Sequence, residues 1–183
     1  MDVLTNTDTS IYKELLPIIA SFITAVATLL GVYIASKFNQ KNNEVIMDKN
    51  LKQEKIKIKL NKIEDIYDHF YIWESEITNT YLVHVAYCNG VFSYKELIEQ
   101  MKKGDENNSG NSFRKVQSLS NIYFPEVSLA FKDVLTSRDS LSELFCGKQQ
   151  TKEACDNLIK TYTIFEKEAE KFKNTLSLIA KNL

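Results

Sequence analysis

The chain has 183 residues and a formal net charge of −1, with 44% hydrophobic and 26% charged residues. One membrane-sized segment aside, that length leaves room for a single modest domain with its own core. Three cysteines, Cys88, Cys146 and Cys155, are too few and too scattered for a disulfide framework and fit a reducing compartment. The five glycines form no phosphate-cradling loop.

The near-zero net charge conceals an uneven distribution. Residues 1–14 carry Asp2, Asp8 and Glu14 against Lys13, a net of −2. Residues 37–62 carry eight lysines against Glu44, Asp48 and Glu54, a net of +5, and residues 63–183 carry −4.

From Leu15 to Ser36 the chain reads LLPIIASFITAVATLLGVYIAS, without a charge. At about 1.5 Å per residue a helix of this length covers the roughly 30 Å of bilayer hydrocarbon, and it lacks the polar face of a soluble core helix. The start of the chain has no basic n-region and no small-x-small site follows the run, so the segment is expected to be retained. Pro17 is placed in the first turns, where a missing amide matters least. Tyr12 and Tyr33 fall toward the ends, where aromatic rings favour the headgroup level. Lysines after the run and an acidic tail before it predict a single pass with the N-terminus outside and the C-terminal domain in the cytoplasm. The expected division is a short extracytoplasmic tail over 1–14, a transmembrane helix over 15–36, a basic helical stalk over 37–55 and a cytoplasmic helical bundle over 56–183.

Ala20, Thr24, Ala27, Gly31 and Ala35 share one face of the apolar helix. Small residues are common in membrane helices; the sharper reading is close packing of two copies through Ala27, Gly31 and Ala35. Lys37 and Lys41 lie within reach of anionic headgroups, at about 1 kcal/mol each. Lysines from Lys49 onward stand beyond a Debye length and serve as topology signal and solvation. No nucleic acid is expected as a partner, because no aromatic platform is interleaved with these cations.

No proline or glycine interrupts residues 37–89, so the apolar helix is expected to continue through the stalk into the bundle. Ile56, Leu60, Ile63, Tyr67, Phe70, Trp73, Ile77, Tyr81, Val85 and Cys88 mark one amphipathic face. Asn89 and Gly90 end it. Ser93 with Glu96 forms a capping box for a helix over Tyr94–Lys103, and residues 104–112, GDENNSGNS, read as a polar loop. A helix from about Ser112 to Ile122 stops before Phe124 and Pro125, and another starts at Pro125 with Val127, Phe131, Val134, Leu141 and Phe145 inward. In the turn between them, the aromatics Tyr123 and Phe124 are expected to plug the bundle and Glu126 to meet the positive end of the new helix. The last helix, Lys152 to Leu183, carries a heptad seam at Cys155, Leu158, Tyr162, Phe165, Ala169, Phe172, Leu176, Ile179 and Leu183. The expected fold class is all-α: a transmembrane helix, a stalk and an elongated antiparallel bundle or coiled-coil-like hairpin, with the first and last long helices paired.

Candidate chemistry is sparse. Asp105, Asn107, Ser109 and Gly110 match four positions of a calcium-binding loop, but the twelfth position is Val116 instead of the bidentate glutamate. His84 and Cys88, four apart, offer half a metal site at most, with packing the preferred explanation. His69 sits among Glu64, Asp65 and Asp68, read as an exposed acidic patch. No catalytic residue, metal or cofactor is expected.

The order of features, with IYDHFYIWE at Ile66–Glu74 and NIYFPEV at Asn121–Val127, resembles a set of uncharacterised bacterial single-pass membrane-anchored helical-bundle proteins. The resemblance implies architecture and no catalytic residues, and the location expected is the bacterial inner membrane. The function expected is a non-enzymatic scaffold or interaction module at the lipid bilayer, self-associating into a homo-oligomer and presenting a surface to an unknown cytoplasmic protein partner. The alternative is a membrane-acting effector of a bacterial conflict system, anti-phage or toxin-like.

Overall fold

A computed structural model describes residues 5–104, 109–145 and 150–183 of the chain. The described residues form five helices and no strand: α1 Thr5–Cys88, α2 Tyr94–Gly104, α3 Ser109–Tyr123, α4 Pro125–Phe145 and α5 Lys152–Lys181. The fold is all-α. The chain divides into two compact units, one ending at Glu54 and the other running from Lys55 to Leu183.

The first unit is helical from Thr5. Its apolar run is exposed throughout among the described residues: Leu16 and Phe22 are both 69% exposed, and Ile18, Leu29 and Ile34 are exposed with them. Three hydroxyls in the run turn back onto their own backbone, Ser21 donating to the Ile18 carbonyl, Thr24 to Ala20 and Thr28 to Thr24, each at 2.8 Å. Because α1 begins ten residues before Leu15, Pro17 lies inside the helix and not in its first turns; the Lys13 carbonyl loses the amide it would otherwise accept from.

The second unit is a four-helix bundle with a short extra helix. α1 and α5 run antiparallel, Phe70 meeting Phe172 at 4.6 Å and Tyr81 stacking on Tyr162 at 3.7 Å. α3 is antiparallel to α1, through Trp73 and Phe113 at 5.8 Å and His69 and Lys115 at 3.1 Å. α4 runs with α1, from Phe70 against Phe131 to His84 against the Phe145 carbonyl. The result is an up-down-up-down arrangement. Its centre is aromatic, with Phe70, Trp73, Phe113, Phe131, Phe165 and Phe172 drawn from all four helices.

Local chemistry sets the breaks. Gly90 has φ +76°; its amide donates to Tyr87 at 2.9 Å and that of Val91 to Ala86 at 2.9 Å, the paired bonds of a Schellman stop. The capping box forms as expected: the Ser93 amide donates to Glu96 Oε2 at 2.7 Å and the Glu96 amide to Ser93 Oγ at 3.3 Å. The bond from the Ser93 amide holds the Glu96 carboxyl below its ordinary value. Pro125 opens α4, and Phe124 between the two helices is buried.

Several expectations need correcting. The core face of α1 uses Ile66, fully buried, in place of Tyr67, which is 42% exposed; Ile56 is exposed as well. From Ile63 both the three- and four-residue steps reach an apolar side chain, and the bundle takes the shorter. The expected loop over 104–112 is shorter, since α2 includes Gly104 and α3 starts at Ser109. Asp105 and Asn107 of the calcium-loop match lie outside the described residues; Val116, at its twelfth position, is fully buried in the core. Of the two aromatics before Pro125 only Phe124 plugs the bundle, Tyr123 being exposed. The α5 seam, from Cys155 through Leu176, is spent inside the bundle. It is not left as a face for a second chain.

Candidate functional site

The bundle carries a cleft between α1 and α3, of about 730 Å³. Lys62, Asp65, His69 and Ile72 line it from α1, at steps of three, four and three that put them on one helical face. Ser112, Arg114, Lys115, Ser118 and Leu119 line it from α3, with Asn111 at its edge. Both helices are fixed by the faces they turn inward, Ile66 and Phe70 on one side and Val116 and Ser120 on the other, all fully buried.

Among the described residues three side-chain cations, Lys62, Arg114 and Lys115, meet one carboxylate in this cleft. The carboxylate belongs to Lys62, whose ammonium donates to Asp65 Oδ2 at 2.8 Å. That bond lifts Lys62 above the usual lysine value and lowers Asp65 below the usual carboxylate value. Among the described residues no carboxylate pairs with Arg114 or Lys115. Lys115 instead donates to His69 Nε2 at 3.1 Å, while Nδ1 stands 3.3 Å from Ser112 Oγ. An ammonium can only donate, so Nε2 accepts and the ring proton sits on Nδ1, facing the serine. The imidazole therefore donates to the Ser112 hydroxyl and is not placed to deprotonate it, as a nucleophilic pair requires. His69, expected in an exposed acidic patch, is half-buried and turned toward α3 cations.

A second cavity of about 310 Å³ lies where α1 and α4 end and α5 begins, lined by His84, Cys88, Glu143, Thr151 and Asn157 among others. His84 is buried, with Nδ1 at 2.8 Å from the Thr80 carbonyl and Nε2 at 3.1 Å from that of Phe145. Both ring nitrogens face carbonyls, so neither offers a lone pair to a metal. Burial and the neighbouring Cys155 push the Cys88 thiol up, against the thiolate a metal would need. Among the described residues no group of three or more His, Cys, Asp or Glu side chains gathers to hold a metal ion.

The residues assigned to the membrane sit in the first unit. Ala27, Gly31 and Ala35 are exposed on α1, and beyond the adjoining residues and helix backbone nothing lies within 4 Å of where a Gly31 side chain would begin. Lys37 and Lys41 are exposed too, with the Lys37 ammonium 5.8 Å from the Tyr33 ring centre. The α1–α3 cleft went unread in the sequence. Its one trace is that Arg114 and Lys115 are the only cations between Lys103 and Lys132.

The chain matches no protein-family model, no curated protein and no solved structure.

Proposed function

We propose that the chain is a membrane-anchored helical module, held by residues 15–36 of α1 and presenting its bundle to partners on the cytoplasmic side, without catalysis of its own. The observation that carries the reading is the apolar run, with no residue of it buried within the molecule. Water would penalise such a surface by about 25 cal/mol for every Å² left exposed, whereas lipid would not. The hydroxyls of Ser21, Thr24 and Thr28 support it further, because each already has an acceptor on its own helix and brings no unsatisfied donor into hydrocarbon. Eight lysines after the run favour the N-terminus outside and the bundle inside, with Lys37 and Lys41 at the headgroups. The membrane proposed is the bacterial inner membrane.

Self-association of the anchor belongs to the same proposal. Gly31 has open space around it, and with Ala27 and Ala35 it offers a face on which a second helix can approach closely. The α5 seam is already occupied, so the anchor is left as the self-associating element. The membrane reading is tested by fractionating cells that make the full chain, with and without residues 15–36, and by fusing an enzyme active only outside the cytoplasm to Leu183. Full-length protein should resist alkaline extraction while the deletion does not, and the fusion should be inactive. Soluble full-length protein overturns the anchor, and an active fusion overturns the orientation. Crosslinked oligomer that survives Gly31→Leu unchanged removes the packing face.

A further inference from the structure

We infer that the cleft between α1 and α3 binds a phosphate monoester, its phosphoryl group held by Arg114, Lys115 and Lys62. The inference is independent of the membrane reading. Residues 63–183 carry a net charge of −4, yet among the described residues this cleft gathers three cations against one carboxylate. Such a local surplus calls for an anion. Its formal value of +2 matches the charge of about −1.5 to −2 that a phosphate monoester carries near neutral pH.

Two of the three cations are also free to serve. Neither Arg114 nor Lys115 has an ion pair to surrender among the described residues. The Lys115 ammonium rests on a neutral imidazole nitrogen at 3.1 Å, and exchanging that acceptor for a phosphoryl oxygen converts a neutral bond into a charge-assisted one. The Arg114 guanidinium supplies a planar fork suited to two phosphoryl oxygens. Ser112, buried and accepting from His69 Nδ1, keeps its own O–H as a further donor. At about 730 Å³ the cleft is too large for a bare inorganic ion and falls in the range of organic-ligand sites. Ile72 and Leu119 give it apolar walls for the rest of such a molecule. A phosphate monoester on a soluble molecule and one on a lipid headgroup share this chemistry, and the experiment separates them.

Full-length protein in a non-ionic detergent is titrated calorimetrically with adenosine monophosphate and with a short-chain phosphatidic acid below its micelle concentration. Adenosine and short-chain phosphatidylcholine serve as controls without a monoester. Saturable binding of a monoester and not of its control is expected, weakening as salt is raised. Binding of the nucleotide alone assigns a soluble ligand, of the phosphatidic acid alone a lipid headgroup, and of both the phosphoryl group itself. Arg114→Gln with Lys115→Gln should weaken binding at least about tenfold, as expected for the loss of charge-assisted bonds. Lys62→Gln, on the other helix, should weaken it in the same direction and keeps the test open if the double variant does not fold. Lys160→Ala, exposed on α5 away from the cleft, should leave binding unchanged. No saturable binding of either monoester overturns the inference. So does undiminished binding in a folded cleft variant, or an equal loss in Lys160→Ala.

Discussion

Within the single helix α1 the same kinds of side chain meet opposite fates. Leu16 and Phe22 stand 69% exposed, while Ile66 and Phe70 are fully buried. Apolarity is common to both regions; what differs is whether the chain supplies a cover. In the bundle α3, α4 and α5 close over a face of α1 whose apolar positions recur at three and four. Around residues 15–36 the apolar side chains point in every direction, and none of them is buried among the described residues. A helix with a polar side asks for a protein partner on the other, and one without a polar side asks for a solvent.

The largest effect should break the bundle and spare the anchor. Phe172 is fully buried against Phe70 and Phe131 at 4.6 and 5.3 Å, so Phe172→Ala should cost about 3–5 kcal/mol of unfolding free energy. Thermal unfolding followed by circular dichroism should show it, with membrane retention unchanged. The converse variant, Val26→Arg near the middle of the apolar run, should cost about 2.5–3.5 kcal/mol of insertion. Membrane fractionation should register the loss while the bundle melts as before. If either substitution disturbs both readouts equally, the two regions are not the separate units proposed.

Lys173 is a mostly buried cation, its ammonium 3.1 Å from Glu74 Oε1 and 3.2 Å from Glu170 Oε2. Burial pulls its value down, but the bonds to Glu74 and Glu170 outweigh that and leave it raised above 10.5. A raised lysine stabilises the fold fully below its ordinary value, and the contribution is lost as pH climbs through the raised one. Lys173→Met should therefore cost about 1–3 kcal/mol near neutral pH by stranding Glu74, and the gap from the natural protein should close only in strongly alkaline solution. A gap that stays constant across that range would show packing, not the ion pair, to be responsible.

Much of the fold was legible because its signals are local. The stop at Asn89 and Gly90, the Ser93 and Glu96 box and the Pro125 restart each depend on a few adjacent residues, and each formed. The α5 seam was legible because its alternation of three and four runs unbroken for the whole helix. Tyr67 was misplaced for the same kind of reason: with Ile66 and Tyr67 both apolar, periodicity alone has no preference, and the choice falls to packing against α3 and α5. The α1–α3 cleft was not legible at all. His69 meets Ser112 and Lys115 across 43 and 46 residues, and only the register of α3, set by Val116 and Ser120 turning inward, decides which cations arrive. His84 looked like half a metal site because its carbonyl partners, Thr80 and Phe145, are backbone atoms that carry no sequence signature.

Trp73 is the one tryptophan of the chain. It is 6% exposed, surrounded by Phe70, Phe113, Phe131 and Phe165, with the Arg138 guanidinium 6.0 Å from its ring centre. Excited where tyrosine does not absorb, the fluorescence of this protein is therefore the light of one place, the point where four helices meet. Its emission colour and its quenching will follow the opening of the bundle alone, with no tryptophan in the apolar run to blur the signal.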